Sequence, residues 1–404
     1  MTASERMIEE AARWSARNYA PLGVVLTRGE GAFVWDVDGR RYVDMLSAYS
    51  ALNQGHCHPR IVAAMVEQAG RLALTSRAFY NDRLGPFLAR LCGLTGFERA
   101  LPMNSGAEAV ETAVKLMRRY GYERRGIPDD RAEIIVAKKN FHGRTTTMVS
   151  LSTDPTSYGH YGPPTPGFVK VPYDDVDALS AAINENTAGV LLEPIQGEAG
   201  VIIPRDTYLP AVREVCDKKG VLLCLDEVQT GFGRTGRLFA WHHTNTRPDV
   251  IVLGKALSGG MYPVSAICAD ARVIDVFTPG THGSTYGGNP LAAAVGLAAL
   301  DVLVDEGLAD RAARLGAMAL EKLRKGLAGA AAVKEVRGRG MMIAVEYKGP
   351  YAHDVVEALA RDTSVLAKDA HETIVRFAPP LVIADDVFED ALTRMLPVLA
   401  SPVI

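Results

Sequence analysis

Lys255 lies in "LGKALSGGMYPVSA", directly after the apolar run "PDVIVLG" and before a glycine pair. The run reads as a strand buried on both faces. An amine at the end of such a strand meets a desolvation penalty in its charged form. Earlier in the chain, Asp226 and Glu227 close a second apolar run, "GVLLCLDEV". If these runs are neighbours in a parallel sheet, amine and carboxylate meet at one edge. They form either a structural ion pair or a working pair. In the second case the amine condenses with an aldehyde, and the acid keeps a ring nitrogen protonated.

That second chemistry belongs to pyridoxal phosphate, which also needs a phosphate cradle. "LPMNSGAEAVETAVKLMRRY" offers one, with Asn104 and Ser105 at an N-cap and Val110, Val114 and Met117 at helical spacing. Backbone N–H groups of Ser105, Gly106 and Ala107 would face a dianion at the positive helix end. An ordinary capped helix accounts for the same residues. "THGSTYGGNP" is either a turn or a second donor loop, with the hydroxyls of Ser284 and Thr285. "GFGRTG" matches the dinucleotide fingerprint, but an acidic pair and Gln229 stand between it and the strand. That spacing is wrong for a tight phosphate turn.

These residues need a frame. "AEIIVAKK", "AGVLLEPI", "GVLLCLDEV" and "PDVIVLG" alternate with the helical patterns "DVDALSAAINEN" and "YLPAVREVCDKKG". The alternation predicts an α/β domain with a mainly parallel sheet, and ligands in such sheets sit beyond the carboxyl strand ends. From about Pro290 a long amphipathic helix, "DRAARLGAMALEKLRKGLAG", precedes the strand-like "VKEVRGRGMMIAVEY" and "TIVRFAPPLVI". This reads as a smaller α+β domain. "GAFVWDVDGRRYVDM" reads as a hairpin turning at "DG". The expected division is 1–49 as a segment packing with the small domain, 50–290 as the large domain and 291–404 as the small one.

Composition narrows the partners. The 404 residues are 48% hydrophobic and 23% charged, with a net charge of −3, so no basic field points to nucleic acid. The five cysteines are scattered, without CxxC spacing, which fits a reducing compartment and neither a disulfide framework nor a zinc site. His56 and His58, and the adjacent His242 and His243, are weak metal candidates, and no metal is expected. "MTASERMIEEAARWSARNYAPLG" lacks a signal-peptide core. "NPLAAAVGLAALDVLV" is too short to span a membrane. The expected location is cytoplasmic.

In fixed order, "NSGAEA", "LLEPIQGEAG", "LDEVQTGFGRTG", "LGKALSGG" and "HGSTYGGNP" closely resemble class III aminotransferases of the ornithine, acetylornithine and 4-aminobutyrate type. The likeness runs from about Tyr19 to the last residues. It implies a fold-type I pyridoxal-phosphate-dependent transferase, with a large domain around a mainly parallel seven-stranded sheet and a smaller α+β domain. It implies Lys255 as the Schiff-base lysine, Asp226 on the pyridine nitrogen and Gln229 on the ring hydroxyl. Val228 and Phe141 would sandwich the ring, with His142 and Glu193 beside the cofactor. Ser105, Gly106 and Ala107, with Ser284, would hold phosphate. Thr285 would reach the cofactor of a neighbouring subunit in a homodimer or dimer of dimers.

"SAYSALNQGHCHPRI", "LTSRAFYN", "STDPTSYGHYGP" and "IVRFAPPLVI" most resemble the family members that act on ornithine. The resemblance implies transfer of the δ-amino group of L-ornithine to 2-oxoglutarate. Arg144 would receive the α-carboxylate, Tyr19 the α-amino group, and Tyr49 would line the channel. Glu198 and Arg376 would form a switching pair. The scheme has a physical logic, because an arginine fork grips a carboxylate in two places and a two-carboxylate keto acid needs a second arginine. The rivals are a transferase for N-acetylornithine, 4-aminobutyrate or another ω-amine, and a pyridoxal-phosphate-binding protein without transferase activity.

Overall fold

The computed structural model describes residues 2–402; Met1, at the head of the 1–49 segment, and residues 403 and 404, at the end of the 291–404 segment, lie outside them. Its centre is a seven-stranded sheet in the order Arg99–Met103, Ser265–Ala269, Val250–Leu253, Leu222–Asp226, Thr187–Leu192, Glu133–Ala137, Phe168–Val171. The last five in that order pair in parallel, and Ser265–Ala269 runs against both of its neighbours. The four apolar runs expected as strands all lie in this sheet. "SAICA", the reversed strand, carries no such signal because it is short and follows a Gly/Pro-rich turn.

The sheet is a middle layer. Val190, Leu192, Leu223 and Leu225 face the helix Tyr208–Lys219 through Leu209, Val212 and Cys216. Val136, Leu191, Cys224, Val252 and Ile267 meet the helix Gly106–Arg125 through Val110, Ala113, Val114 and Met117. Each fully buried aliphatic side chain contributes about 1.5–3 kcal/mol, so two apolar faces fix strand order and leave polar groups only at the edges. The long helix begins with a reciprocal capping box between Ser105 and Glu108.

Two four-stranded sheets complete the fold. Val333–Arg339, Met342–Tyr347, Ile374–Phe377 and Lys368–Ala370 form one, wholly antiparallel. In the other, Leu26–Glu30, Phe33–Asp36 and Arg41–Asp44 form a meander whose last strand pairs in parallel with Val365–Leu366. The N-terminal strands therefore join a C-terminal one. The helix Pro290–Asp305 packs against Pro59–Ala69 and Leu84–Thr95, which precede it by more than 190 residues. It is buried on nearly all sides.

"GFGRTG" has a structural task consistent with rejecting it as a nucleotide turn. Gly233 (φ 87°) and Gly236 (φ 88°) let the loop lie against Ala309 and Ala313 of the helix Leu308–Gly326. Between the loop and that helix sits the turn at Gly340: a Cβ on Gly316 would meet the Gly340 carbonyl oxygen at 2.1 Å. Gly316→Ala should overpack this contact and cost about 3 kcal/mol, read as a lower urea midpoint. An unchanged midpoint would show that the helix can move aside.

Candidate active site

Asp226 ends its strand and stands in register with Val252, so the two runs are parallel neighbours. Lys255 follows across an extended Gly254 and opens a short 3₁₀ turn, Lys255–Ser258, with a left-handed φ of 45°. Both residues line one cavity of about 220 Å³ at the carboxyl edge of the sheet, together with Phe141, His142, Glu193 and Val228. Burial lowers the pKa of the Lys255 amine, and the charge of Glu198 only partly restores it. A larger neutral fraction makes it a better nucleophile and proton carrier.

Asp226 is fixed from two sides. Its Oδ2 pairs with His142 Nδ1 at 2.7 Å, and its Oδ1 accepts the Val228 N–H at 3.0 Å. Burial alone would lower the His142 pKa, but hydrogen bonding to Asp226 and its charge reverse the sign and raise it. The imidazole Nε2 has no partner among the described residues. Glu193 accepts the N–H groups of Phe141 (3.0 Å) and Gly197 (3.2 Å). Burial pushes its carboxyl up to about 7, with His142 opposing.

At the other end lies the helix start. The expectation of three free N–H groups is corrected here: the Ser105 N–H donates to Glu108 Oε2 at 2.7 Å. The carboxylate closes the capping box and removes that donor. The N–H groups of Gly106 and Ala107 have no partner among the described residues. Asn104 Nδ2 donates to Glu108 Oε1 (3.1 Å) and to Ser284 Oγ (3.0 Å), which brings the 281–290 loop to this end. Ser265 Oγ donates to the Ser105 carbonyl at 2.7 Å. Glu108 and Ser265 join the site beyond the residues that the sequence singles out. The S-x-x-E spacing of Ser105 and Glu108 was legible as a capping box; Ser265 carried no signal.

Glu198 and Arg376 form a fork, with Nη1–Oε1 at 2.9 Å and Nη2–Oε2 at 3.0 Å. Despite burial, Arg376 holds the Glu198 carboxyl down at about 2. Gln229 Nε2 donates to Glu198 Oε1 at 3.0 Å, so its amide meets this pair as well as the cavity. Gly197 makes room: a Cβ there would lie 1.6 Å from Gln229 Oε1. The ring of Tyr49 lies 5.8 Å from the Arg376 guanidinium. Arg144 is exposed, 5.6 Å from the Phe141 ring centre. Tyr19, 78% exposed, and Thr285, also exposed, stand on the surface of the single chain. The structure brings none of Arg144, Tyr19 and Thr285 into the lining of the cavity.

Residues 14–399 match the family Aminotransferase class-III. This chain belongs to the class-III aminotransferases. It is 52% identical over 395 residues to ornithine aminotransferase 2 of Staphylococcus aureus, covering 98% of this chain and 99% of that one. Among solved structures it is similar to the ornithine aminotransferase of Toxoplasma gondii, with a TM-score of 0.96, 47% identity and coverage of 99% and 95%. It is also similar to an acetylornithine aminotransferase of Elizabethkingia anophelis, with a TM-score of 0.90, 47% identity and 99% coverage of each.

Class-III aminotransferases work with pyridoxal phosphate, and the residues of this chain fit that group. Two unpaired N–H groups at a helix start suit the phosphate, and a doubly anchored buried carboxylate suits a protonated ring nitrogen. One cavity is lined by both ends, and the helix start approaches Val228 so closely that a Cβ on Gly106 would meet its Cγ1 at 3.2 Å. In the class-III aminotransferase stripped of cofactor, Glu193 gives a pH signature. Its folded pKa of about 7 lies above the ordinary 4.5. Its contribution is therefore full below about pH 4.5 and is lost as pH rises through 7, roughly 3 kcal/mol in all. Unfolding free energies by urea should fall between pH 5 and 8 more steeply for the wild type than for Glu193→Gln. Parallel slopes would remove Glu193 as their source.

Proposed function

We propose that this protein moves the δ-amino group of L-ornithine to 2-oxoglutarate, giving L-glutamate and glutamate-5-semialdehyde, which cyclises to pyrroline-5-carboxylate. The observation that carries the reading is the Glu198–Arg376 fork beside Lys255. An arginine near the reacting amine would draw the α-carboxylate of an amino acid inward and favour α-chemistry. Here that arginine is already covered by a carboxylate of the same chain. A diamino acid is then left to bind by its far end, with the α-carboxylate on Arg144 and the α-amino group on Tyr19.

When bound, pyridoxal phosphate supplies an aldehyde for amines and a ring that accepts electrons from the substrate carbon. Gly106 and Ala107 hold the phosphate through backbone N–H groups, with Ser284 nearby. Asp226 keeps the ring nitrogen protonated, and His142 fixes the orientation of its carboxylate. Lys255 Nζ, whose pKa burial lowers, would take a proton from one carbon and return it to another. Phe141 and Val228 exclude water from the ring faces. For 2-oxoglutarate, Glu198 must leave Arg376. With the Glu198 carboxyl held near 2, a cation left bare would be costly, so the switch proceeds as one carboxylate replacing another.

The same reading includes assembly and location. Tyr80 is fully exposed, and Phe79 (72%) and Tyr286 (52%) add exposed aromatic surface. Asn81 Nδ2 donates to the Gly288 carbonyl, which joins this segment to the loop carrying Thr285. A second copy on this surface would cover it and bring Thr285 towards the partner's cofactor. No helix among the described residues is long and apolar enough to cross a membrane, and all five cysteines are free. Both agree with a cytoplasmic enzyme.

A donor panel tests the substrate. With 2-oxoglutarate, ornithine should give the yellow o-aminobenzaldehyde adduct of pyrroline-5-carboxylate, at a higher kcat/KM than N-acetylornithine or 4-aminobutyrate. A preference for N-acetylornithine would replace the donor and leave the family intact. Arg144→Gln should lower kcat/KM for ornithine about 10- to 100-fold, the worth of a charge-assisted carboxylate contact. An equal loss for 1,5-diaminopentane, an ω-amine with no carboxylate, would show a general defect rather than a lost grip on the α-carboxylate.

A further inference from the structure

The turn that carries Tyr49 is strained, and the group that holds it is remote from the reacting atoms. Ser47, Ala48, Tyr49 and Ser50 are four consecutive non-glycine residues with left-handed φ, at 43°, 46°, 61° and 71°. L-residues visit this region singly and seldom in runs. A run persists only where its surroundings over-determine it. Asp44 Oδ1 accepts the N–H groups of Leu46 (2.8 Å) and Ser47 (2.9 Å). The Ser47 hydroxyl donates to the Ala378 carbonyl and accepts from Arg234 Nη2 at 3.3 Å.

Arg234 is fully buried and, among the described residues, hydrogen-bonds to no carboxylate. Besides Ser47 it donates to Asn53 Oδ1 (2.5 Å), the Pro379 carbonyl (2.6 Å) and the Met341 carbonyl (3.1 Å). Ala378 and Pro379 directly follow the strand Ile374–Phe377, which carries Arg376. One buried cation is thus bonded to both the turn holding Tyr49 and the strand end holding Arg376. Between those two points the Tyr49 ring meets the Arg376 guanidinium at 5.8 Å.

We infer that Arg234 is a positioning residue for the second substrate: it locks the left-handed turn so that Tyr49 holds Arg376 ready for a dicarboxylic keto acid. The inference rests on the role given to Arg376 above. The amine donor meets Arg376 covered by Glu198, so the amine half-reaction does not use the lock. The keto-acid half-reaction does, because it must reorganise a guanidinium whose other face Tyr49 keeps in place.

Ser47→Ala tests this without removing the buried charge. In the holoenzyme, kcat/KM for 2-oxoglutarate should fall about five- to tenfold, the scale of one partly desolvated cation–π contact. The Kd of unreactive glutarate, by calorimetry, should rise by a similar factor. kcat/KM for ornithine should fall clearly less, because the donor meets Tyr49 only as a wall of the channel, and the visible cofactor spectrum should not change. Arg234→Lys should show the same selectivity with a larger loss. Adding Ala48→Gly to Ser47→Ala should restore a good part of it, because glycine accepts the left-handed turn at lower cost. Equal losses for both substrates, or unchanged glutarate binding in Ser47→Ala, would overturn the inference. Should the wild type fail to use ornithine, the substrate reading falls, while the glutarate titration still decides this one. If Arg234→Lys does not fold, the Ser47→Ala and double variants suffice.

Discussion

Everything in the site follows from the in-register pairing of two parallel strands, Leu222–Asp226 and Val250–Leu253. Apart from Asp226 at the end of the first, both are apolar and buried on both faces, so neither can slip without exposing hydrocarbon or burying a charge. The register leaves only the strand ends polar. It places a carboxylate and an amine on one edge, at the ends of two strands that carry no other charge. Flanking strands then add Glu193, His142 and the helix start at Gly106 to the same edge. The chemistry is thus a property of sheet direction before it is one of any single side chain.

Concentrating ionisable groups at a dry edge has a cost, and the structure meets it in three ways. Asp226 and His142 share a short hydrogen bond. Glu198 and Arg376 neutralise each other through a two-point fork. Arg234 has no hydrogen-bonded carboxylate among the described residues; burial lowers its pKa to about 9, with Asp44 opposing. Four acceptors from three stretches of chain stand in for a counter-ion. Each left-handed residue beside it costs roughly 1–2 kcal/mol, so the cation sits where the backbone most needs restraint.

Much of this was legible in the sequence, and the reasons are particular. Lys255 and Asp226 stood out because charge at the end of an apolar run is physically conspicuous. The flanking glycines and the Asn-Ser cap marked the helix start. The donors there were miscounted because Glu108 reaches back to Ser105, although the spacing of the two allowed that to be foreseen. The left-handed run at Ser47–Ser50 was invisible, since "SAYS" contains no glycine or asparagine to announce it and its restraints lie up to 331 residues away in sequence. Tyr19 and Thr285 belong to a third kind: their surroundings in one chain do not decide what they touch.

On the proposed reading, Glu198 has a further consequence. It is an intramolecular competitor, tethered at high effective concentration to the guanidinium that the keto acid must occupy. Every dicarboxylic ligand therefore binds less tightly than the bare arginine would allow. The product of the second half-reaction, glutamate, is itself dicarboxylic, and the returning side chain displaces it. Affinity is traded for turnover: the group that guards the pocket against the wrong end of the donor also ejects the finished amino acid.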